Sequence, residues 1–186
     1  MSHALDPSVA HAGLDMLREH IAAVPDFPKE GILFRDITPA LADPTCLKTA
    51  VDLHLHAVAD VAGEIDMIVG IESRGFLFGM PVAAALGVGF VPVRKPGKLP
   101  RPVLEERYAL EYGEDALQLH QGDLKAGQRV LVVDDLLATG GTASAACALV
   151  ENAGATVLGC LFLIELAALN GRGRLGERRV DALIEY

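Results

Sequence analysis

The hydrophobic pattern alternates between short β-branched runs and stretches with helical spacing. Residues 15–24 read as a short helix, with the preceding Leu14 and Leu17, Ile21 and Val24 on one face, and Pro25-Asp-Phe-Pro28 ends it. Residues 31–39 read as a short extended or irregular piece. Asp43-Pro44 then caps a helix over 45–61, with Leu47, Ala50, Val51, Leu55 and Val58 as its apolar stripe. A buried strand is expected at 65–70, a loop at 72–75, a helix at 76–86 and a strand at 89–94. Pro92 points to an edge strand or a strand end there. Residues 108–112 and 117–120 look like a hairpin around Gly113-Glu-Asp. A strand at 130–133 leads to a helix over 142–153, whose inward positions are Ala143, Ala146, Cys147, Val150 and Ala153 and which Gly154 ends. Residues 156–166 are apolar on both faces, as inside a parallel sheet, and 180–184 form a last strand. The alternation predicts an α/β fold: a mainly parallel twisted sheet with helices on both faces.

The most informative stretch is Val130-Leu-Val-Val133, then Asp134 and Asp135, then Ala138-Thr-Gly-Gly-Thr142 at the start of a helix. Ligands of open α/β sheets sit outside the carboxyl ends of strands. Backbone N–H groups of 139–142, with the helix dipole behind them, suit one phosphate. Two aspartates would repel that phosphate, so they are expected to accept hydrogen bonds from hydroxyls, as from a ribose. The ligand suggested is both sugar and phosphate.

Composition narrows the classes. The chain has 186 residues, 51% hydrophobic, enough for one domain with a full core. A net charge of −9 argues against nucleic acid or an anionic membrane as a main partner. No apolar run approaches about 18 uncharged residues, and residues 1–12 lack the pattern of a signal peptide. Cys46, Cys147 and Cys160 form no CxxC, which suggests reduced thiols and a cytoplasmic location. His54 and His56 stand two apart and would face different ways on a helix, so no metal site is read there. Within this acidic chain, Arg94, Lys95, Lys98, Arg101 and Arg107 concentrate positive charge in a Pro- and Gly-shaped loop, as expected for an anion site. Arg74, after a strand, suits a diphosphate by its bidentate guanidinium.

The stretch over 130–142 resembles the phosphoribosyl-diphosphate (PRPP) motif of the type I phosphoribosyltransferases. Pro25-Asp-Phe-Pro28, Gly31-Ile-Leu-Phe-Arg-Asp-Ile-Thr38, Ser73-Arg-Gly-Phe-Leu-Phe-Gly79, Arg94-Lys-Pro-Gly-Lys-Leu-Pro100 and Leu110-Glu-Tyr-Gly113 resemble the adenine phosphoribosyltransferases of that family. The resemblance spans residues 25 to 142 and continues weakly through Ile164-Glu-Leu166. It implies a single domain over 1–186, with an N-terminal hood over about 1–40 and a mobile lid over about 95–115.

It also implies roles. Asp134 and Asp135 would hold ribose hydroxyls, and Ala138, Thr139, Gly140, Gly141 and Thr142 the 5′-phosphate. Arg74, Arg94, Lys95 and Lys98 would meet the diphosphate, some of them across a homodimer interface, and Tyr112 belongs to the lid. A cis peptide would fall at Glu72-Ser73. Phe34 would stack on adenine while the backbone of Leu33 and Arg35 reads its edge and Leu166 closes the other face. Glu111 would act at the purine imidazole. Mg²⁺ would be held through the diphosphate and the ribose hydroxyls, with no direct protein ligand. Related 6-oxopurine transferases carry Asp where this chain has Ala138, which favours adenine. A PRPP-binding regulator without turnover and a transferase for xanthine or orotate are the alternatives; an acidic N-terminal segment without a basic helix speaks against the regulator.

Overall fold

The β-branched runs assemble into a five-stranded, all-parallel sheet in a computed structural model that describes residues 4–109 and 113–186. The chain divides into two compact units, Met1–Ala59 and Asp60–Tyr186.

The first unit holds α1 (Pro7–His20), the antiparallel strands β1 (Ala22–Pro25) and β2 (Leu33–Asp36), α2 (Thr38–Ala42) and α3 (Pro44–Ala57). Helix α1 starts earlier and ends earlier than the apolar spacing predicts. Asp6 caps it by accepting the Ser8 N–H at 2.9 Å, with Pro7 in the first turn. That is the same Asp-Pro signal that correctly starts α3, where Asp43 accepts the N–H groups of Thr45 and Cys46. Beyond His20 the backbone turns extended, because Val24 pairs with Phe34 across the hairpin. In α3 the buried positions are Cys46, Ala50, Leu53, His54 and Leu55, while Leu47 is exposed. The inward face is thus rotated from the predicted stripe, because a small thiol and a histidine bonded to the Ala50 carbonyl both turn inward.

The second unit contains β3 (Met67–Ile71), α4 (Gly75–Leu86), β4 (Gly89–Val93), β5 (Val103–Ala109), β6 (Glu114–His120), β7 (Arg129–Leu137), α5 (Gly141–Asn152), β8 (Thr156–Glu165) and β9 (Val180–Glu185). The sheet order is β4-β3-β7-β8-β9, and β5 and β6 form a separate antiparallel hairpin. Strand β4, with Pro92, is the edge that the proline predicts. The hairpin begins at Val103, earlier than expected; of the predicted strand at 108–112, residues 110–112 lie outside the described residues. Val69, Val132, Phe162 and Ala146 meet in the core between sheet and helices.

The crossover through α4 runs from β3 towards β4, and that through α5 from β7 towards β8, in opposite directions along the sheet. Right-handed crossovers, nearly universal in such units, therefore put α4 and α5 on opposite faces. The switch lies between β3 and β7, where open sheets present a crevice. Among the described residues no helix is long and apolar enough to cross a membrane.

Candidate active site

Strand β7 does not stop before the acidic pair, as its apolar run suggests. It continues to Leu137 because β8 keeps pairing with it, Asp134 beside Phe162 and Leu137 beside Glu165. The aspartates thus sit on a rigid strand at the switch point. The loop 138–142 follows, with Gly140 in left-handed backbone (φ 80°) before α5. The first-turn N–H groups of α5, which begins at Gly141 within this loop, have no intrahelical partner. From the neighbouring strand β3 comes the turn Glu72-Ser73-Arg74, whose Glu72–Ser73 peptide bond is cis, where the resemblance places it.

These pieces enclose a cleft of about 260 Å³ lined by Glu72, Arg74, Lys95, Asp134, Asp135 and the 138–142 loop. Arg74 Nε lies 2.8 Å from Asp135 Oδ2, and the Asp135 N–H donates to Asp134 Oδ1 at 2.9 Å. Burial pushes both carboxyls up from the usual carboxylate range. The Asp135 charge pushes Asp134 further, and Arg74 opposes the rise at Asp135. The pair therefore resists carrying two full charges, and a ligand offering hydroxyl donors or positive charge relieves it.

Arg94 and Lys98 do not line the cleft. They converge on Glu72, a residue without an assigned role in the sequence pattern. Arg94 Nε stands 3.3 Å from its carboxylate, the Lys95 N–H donates at 2.9 Å, and Lys98 Nζ forms an ion pair with it. Burial alone would raise this carboxyl; the hydrogen bonds from Lys98, the Lys95 N–H and Arg94 outweigh it and hold Glu72 below its ordinary value. Lys95 Nζ donates to Tyr108 at 2.8 Å and pairs with Asp115. Thr142 Oγ1 lies 3.4 Å from the Tyr108 hydroxyl, so the end of the hairpin where Tyr108 pairs with Asp115 reaches the 138–142 loop. Tyr108 and Asp115 also escape a sequence reading, since single polar residues in an alternating strand carry no pattern; a lone Glu at the end of a buried strand was the one available hint of Glu72.

The remaining candidates lie elsewhere. Leu33, Phe34 and Arg35 are on β2 of the first unit, where Phe34 packs edge-on against Phe27 at 5.2 Å between ring centres. Leu166 follows β8, its N–H donating to the Leu137 carbonyl at 2.9 Å. Glu111 and Tyr112 fall outside the described residues.

Comparison with known proteins agrees with this geometry. The phosphoribosyl transferase domain matches residues 43–183. The adenine phosphoribosyltransferase of Gloeobacter violaceus is 58% identical over 173 residues, covering 91% of this chain and 99% of its own. The crystal structure of adenine phosphoribosyltransferase from Thermoanaerobacter pseudethanolicus is similar with a TM-score of 0.89 at 48% identity, over 93% of this chain and 99% of that one. The Saccharomyces cerevisiae enzyme, solved with D-2,5-dideoxy-2,5-imino-altritol 1,6-bisphosphate and adenine, gives 0.89 at 43% identity, over 93% and 99%. A sheet switch point carrying an acidic pair and a glycine loop, with relatives this similar over nearly their whole length, places the chain in the phosphoribosyltransferase family, among the adenine phosphoribosyltransferases.

Proposed function

We propose a division of labour for the reaction this chain catalyses, transfer of the 5-phosphoribosyl group from PRPP to adenine to give AMP and diphosphate. The observation that carries it is the meeting, in one cleft, of the 138–142 loop, the Asp134–Asp135 pair and Arg74. Backbone N–H groups and threonine hydroxyls of the loop hold the 5′-phosphate. Asp134 and Asp135 accept hydrogen bonds from the ribose hydroxyls and face the positive charge that develops on the sugar. Arg74 and Lys95 hold the diphosphate; Arg94 and Lys98 join them on release from Glu72.

The C1′–oxygen bond to diphosphate breaks ahead of bond formation, through an oxocarbenium-like state. Adenine nitrogen then bonds to C1′, and the base gives up one proton. Glu111 assists at the imidazole edge, with Tyr112 in a lid that excludes water from the cation. Phe34 stacks on the base and the backbone of Leu33 and Arg35 reads its edge. Exposed Leu33 and Phe27 beside Phe34 make β2 an apolar platform suited to that role, and Leu166 covers the other face. Ala138, in place of a carboxylate, favours adenine over 6-oxopurines.

Magnesium would neutralise leaving-group charge on the diphosphate. Among the described residues no three His, Cys, Asp or Glu side chains converge on a metal position. The cleft's carboxylates are Asp134, Asp135 and Glu72, and Glu72 is already engaged by Arg94, Lys98 and the Lys95 N–H; this fits an ion held through PRPP oxygens with Asp134 and Asp135 beside the hydroxyls. A cytoplasmic homodimer, hood over about 1–40 and lid over about 95–115 complete the proposal; sedimentation of the purified chain tests the dimer.

The test is incubation with PRPP, Mg²⁺ and each of adenine, hypoxanthine, guanine, xanthine and orotate. AMP from adenine alone is expected, and absence of nucleotide from adenine overturns the reading. Glu111→Ala should lower kcat about 10²- to 10⁴-fold while sparing PRPP binding. Near-normal turnover would remove Glu111 from the chemistry.

A further inference from the structure

The turn Gly171–Arg174 lies against the outer side of the phosphate loop. A Cβ at Gly140 would stand 2.3 Å from the Gly171 carbonyl oxygen, and a Cβ at Gly171 would stand 2.3 Å from that of Ala138. Two backbone segments therefore touch with no side chain between them. The turn is anchored from behind: Arg172 Nε donates to both oxygens of buried Glu165 at 2.8 and 2.9 Å, and its Nη1 donates to the Val180 carbonyl at 2.7 Å. Leu175, next in the chain, is fully buried.

This anchoring delivers Arg174 to one side of Gly141. Arg174 Nη1 lies 3.4 Å from where a Gly141 Cβ would be. Gly141 lines the substrate cleft and also a second hollow of about 250 Å³, which Arg174 lines and the cleft does not include. The neighbouring arginines are neutralised: Arg172 by Glu165, Arg178 by Glu151, Arg179 by Asp60 and Asp181. Arg174 has no ion-pair partner among the described residues.

We propose that Arg174 is a positioning residue for PRPP and AMP: it sets a positive charge without an ion-pair partner behind Gly141, in a hollow it shares with Glu106 and Arg107, next to the seat of the 5′-phosphate. It acts through the loop and the local field, without touching substrate, and adds to the dipole of α5 in favouring a phosphate dianion. The inference rests on the reading that the 138–142 loop holds the 5′-phosphate.

Calorimetric titration with AMP and with diphosphate tests it on Arg174→Met, Arg174→Lys and Arg174→Glu, with Thr142→Val as a loop control. Arg174→Met should weaken AMP about 3- to 10-fold, with the deficit shrinking at high salt. Arg174→Glu should weaken it further, Arg174→Lys should restore it, and diphosphate affinity should not move. In turnover, KM for PRPP should rise in Arg174→Met with kcat kept. Equal loss in the Met and Lys variants would mean shape rather than charge and would overturn the proposal. Normal AMP binding by Arg174→Met with weakened binding by Thr142→Val overturns Arg174 alone. Normal binding by both overturns the loop assignment and the proposal with it.

Discussion

The two walls of the cleft are held by different forces. The phosphate-loop wall is backbone against backbone, Gly140 on Gly171 and Gly171 on Ala138, supported by the fully buried Leu137 and Leu175. The basic wall is charge against charge: Arg94 and Lys98 on Glu72, and Lys95 on Asp115 and Tyr108. On the proposed reading the first wall meets a phosphate with its backbone already in place and only the long Thr142–Tyr108 contact to give up, close to what preorganised anion binding requires. In the second, every cation named for the diphosphate except Arg74 already has a carboxylate outside the acidic pair. If these cations take the diphosphate as proposed, it has to compete with Glu72 and Asp115 for them, so that half of the site works by exchange of partners.

The sharpest way to break this contrast is Gly140→Ala. A side chain there must adopt left-handed backbone and displace a carbonyl, so stability should fall by about 2–4 kcal/mol in chemical denaturation. A normal midpoint would mean the loop wall is as pliable as the basic one. Next comes Asp134→Asn, which should lower kcat/KM for PRPP about 10- to 1,000-fold. The same change should raise the stability of the free protein at neutral pH by about 1 kcal/mol, since an ionised carboxyl in this place is unfavourable. Unchanged kinetics would undo the ribose assignment.

Acid separates the two walls by sign. The aspartate pair has folded values above the ordinary carboxylate range, so the folded state binds protons more readily. Its penalty is full above the folded values and disappears as pH falls through them towards about 4. Glu72 is depressed, so its contribution is full above its ordinary value and is lost as pH falls through the lowered folded one. Thermal melts should therefore show the advantage of Asp134→Asn shrinking on acidification. The deficit of Glu72→Gln should stay constant from neutral pH down to about 5 and vanish only in stronger acid. Parallel trends would remove the contrast. The smallest effect belongs to Lys98→Ala. Its half-exposed ion pair should contribute less than about 1 kcal/mol to stability, although the KM for PRPP should rise. A loss larger than that would show the basic wall to be structural.

Legibility followed the same division. Buried strands such as β3 and β8 were plain in the chain because their apolar runs need no partner to be recognised, and Pro92 marked its edge because proline cannot donate to a ladder. The apolar stripe does not mark the start of α1; Asp6-Pro7, which repeats the Asp43-Pro44 signal, does. The apolar stripe does not give the face of α3, because Cys46 packs inward as a small buried residue and His54 turns inward with its ring bonded to the Ala50 carbonyl, which no hydropathy scale registers. In the cleft, residues sharing one continuous motif, Asp134 to Thr142, were found together. Glu72, Tyr108, Asp115 and Arg174 were not, because each comes from a separate segment and has meaning only beside its partner.

By itself the sequence determined the α/β alternation, the acidic pair with its glycine loop, and the concentration of cations at 94–107. These follow from local rules, namely side-chain periodicity, cap chemistry and the backbone freedom of glycine, which act within a few residues. Only the tertiary structure decided that β7 runs on through Asp134 and Asp135, that Glu72 gathers Arg94 and Lys98, and that the Gly171–Arg174 turn backs the phosphate loop. Those are contacts between segments from 22 to more than 30 residues apart, set by strand order and by which buried charge finds its counter-ion, and neither quantity is written in any single stretch of chain.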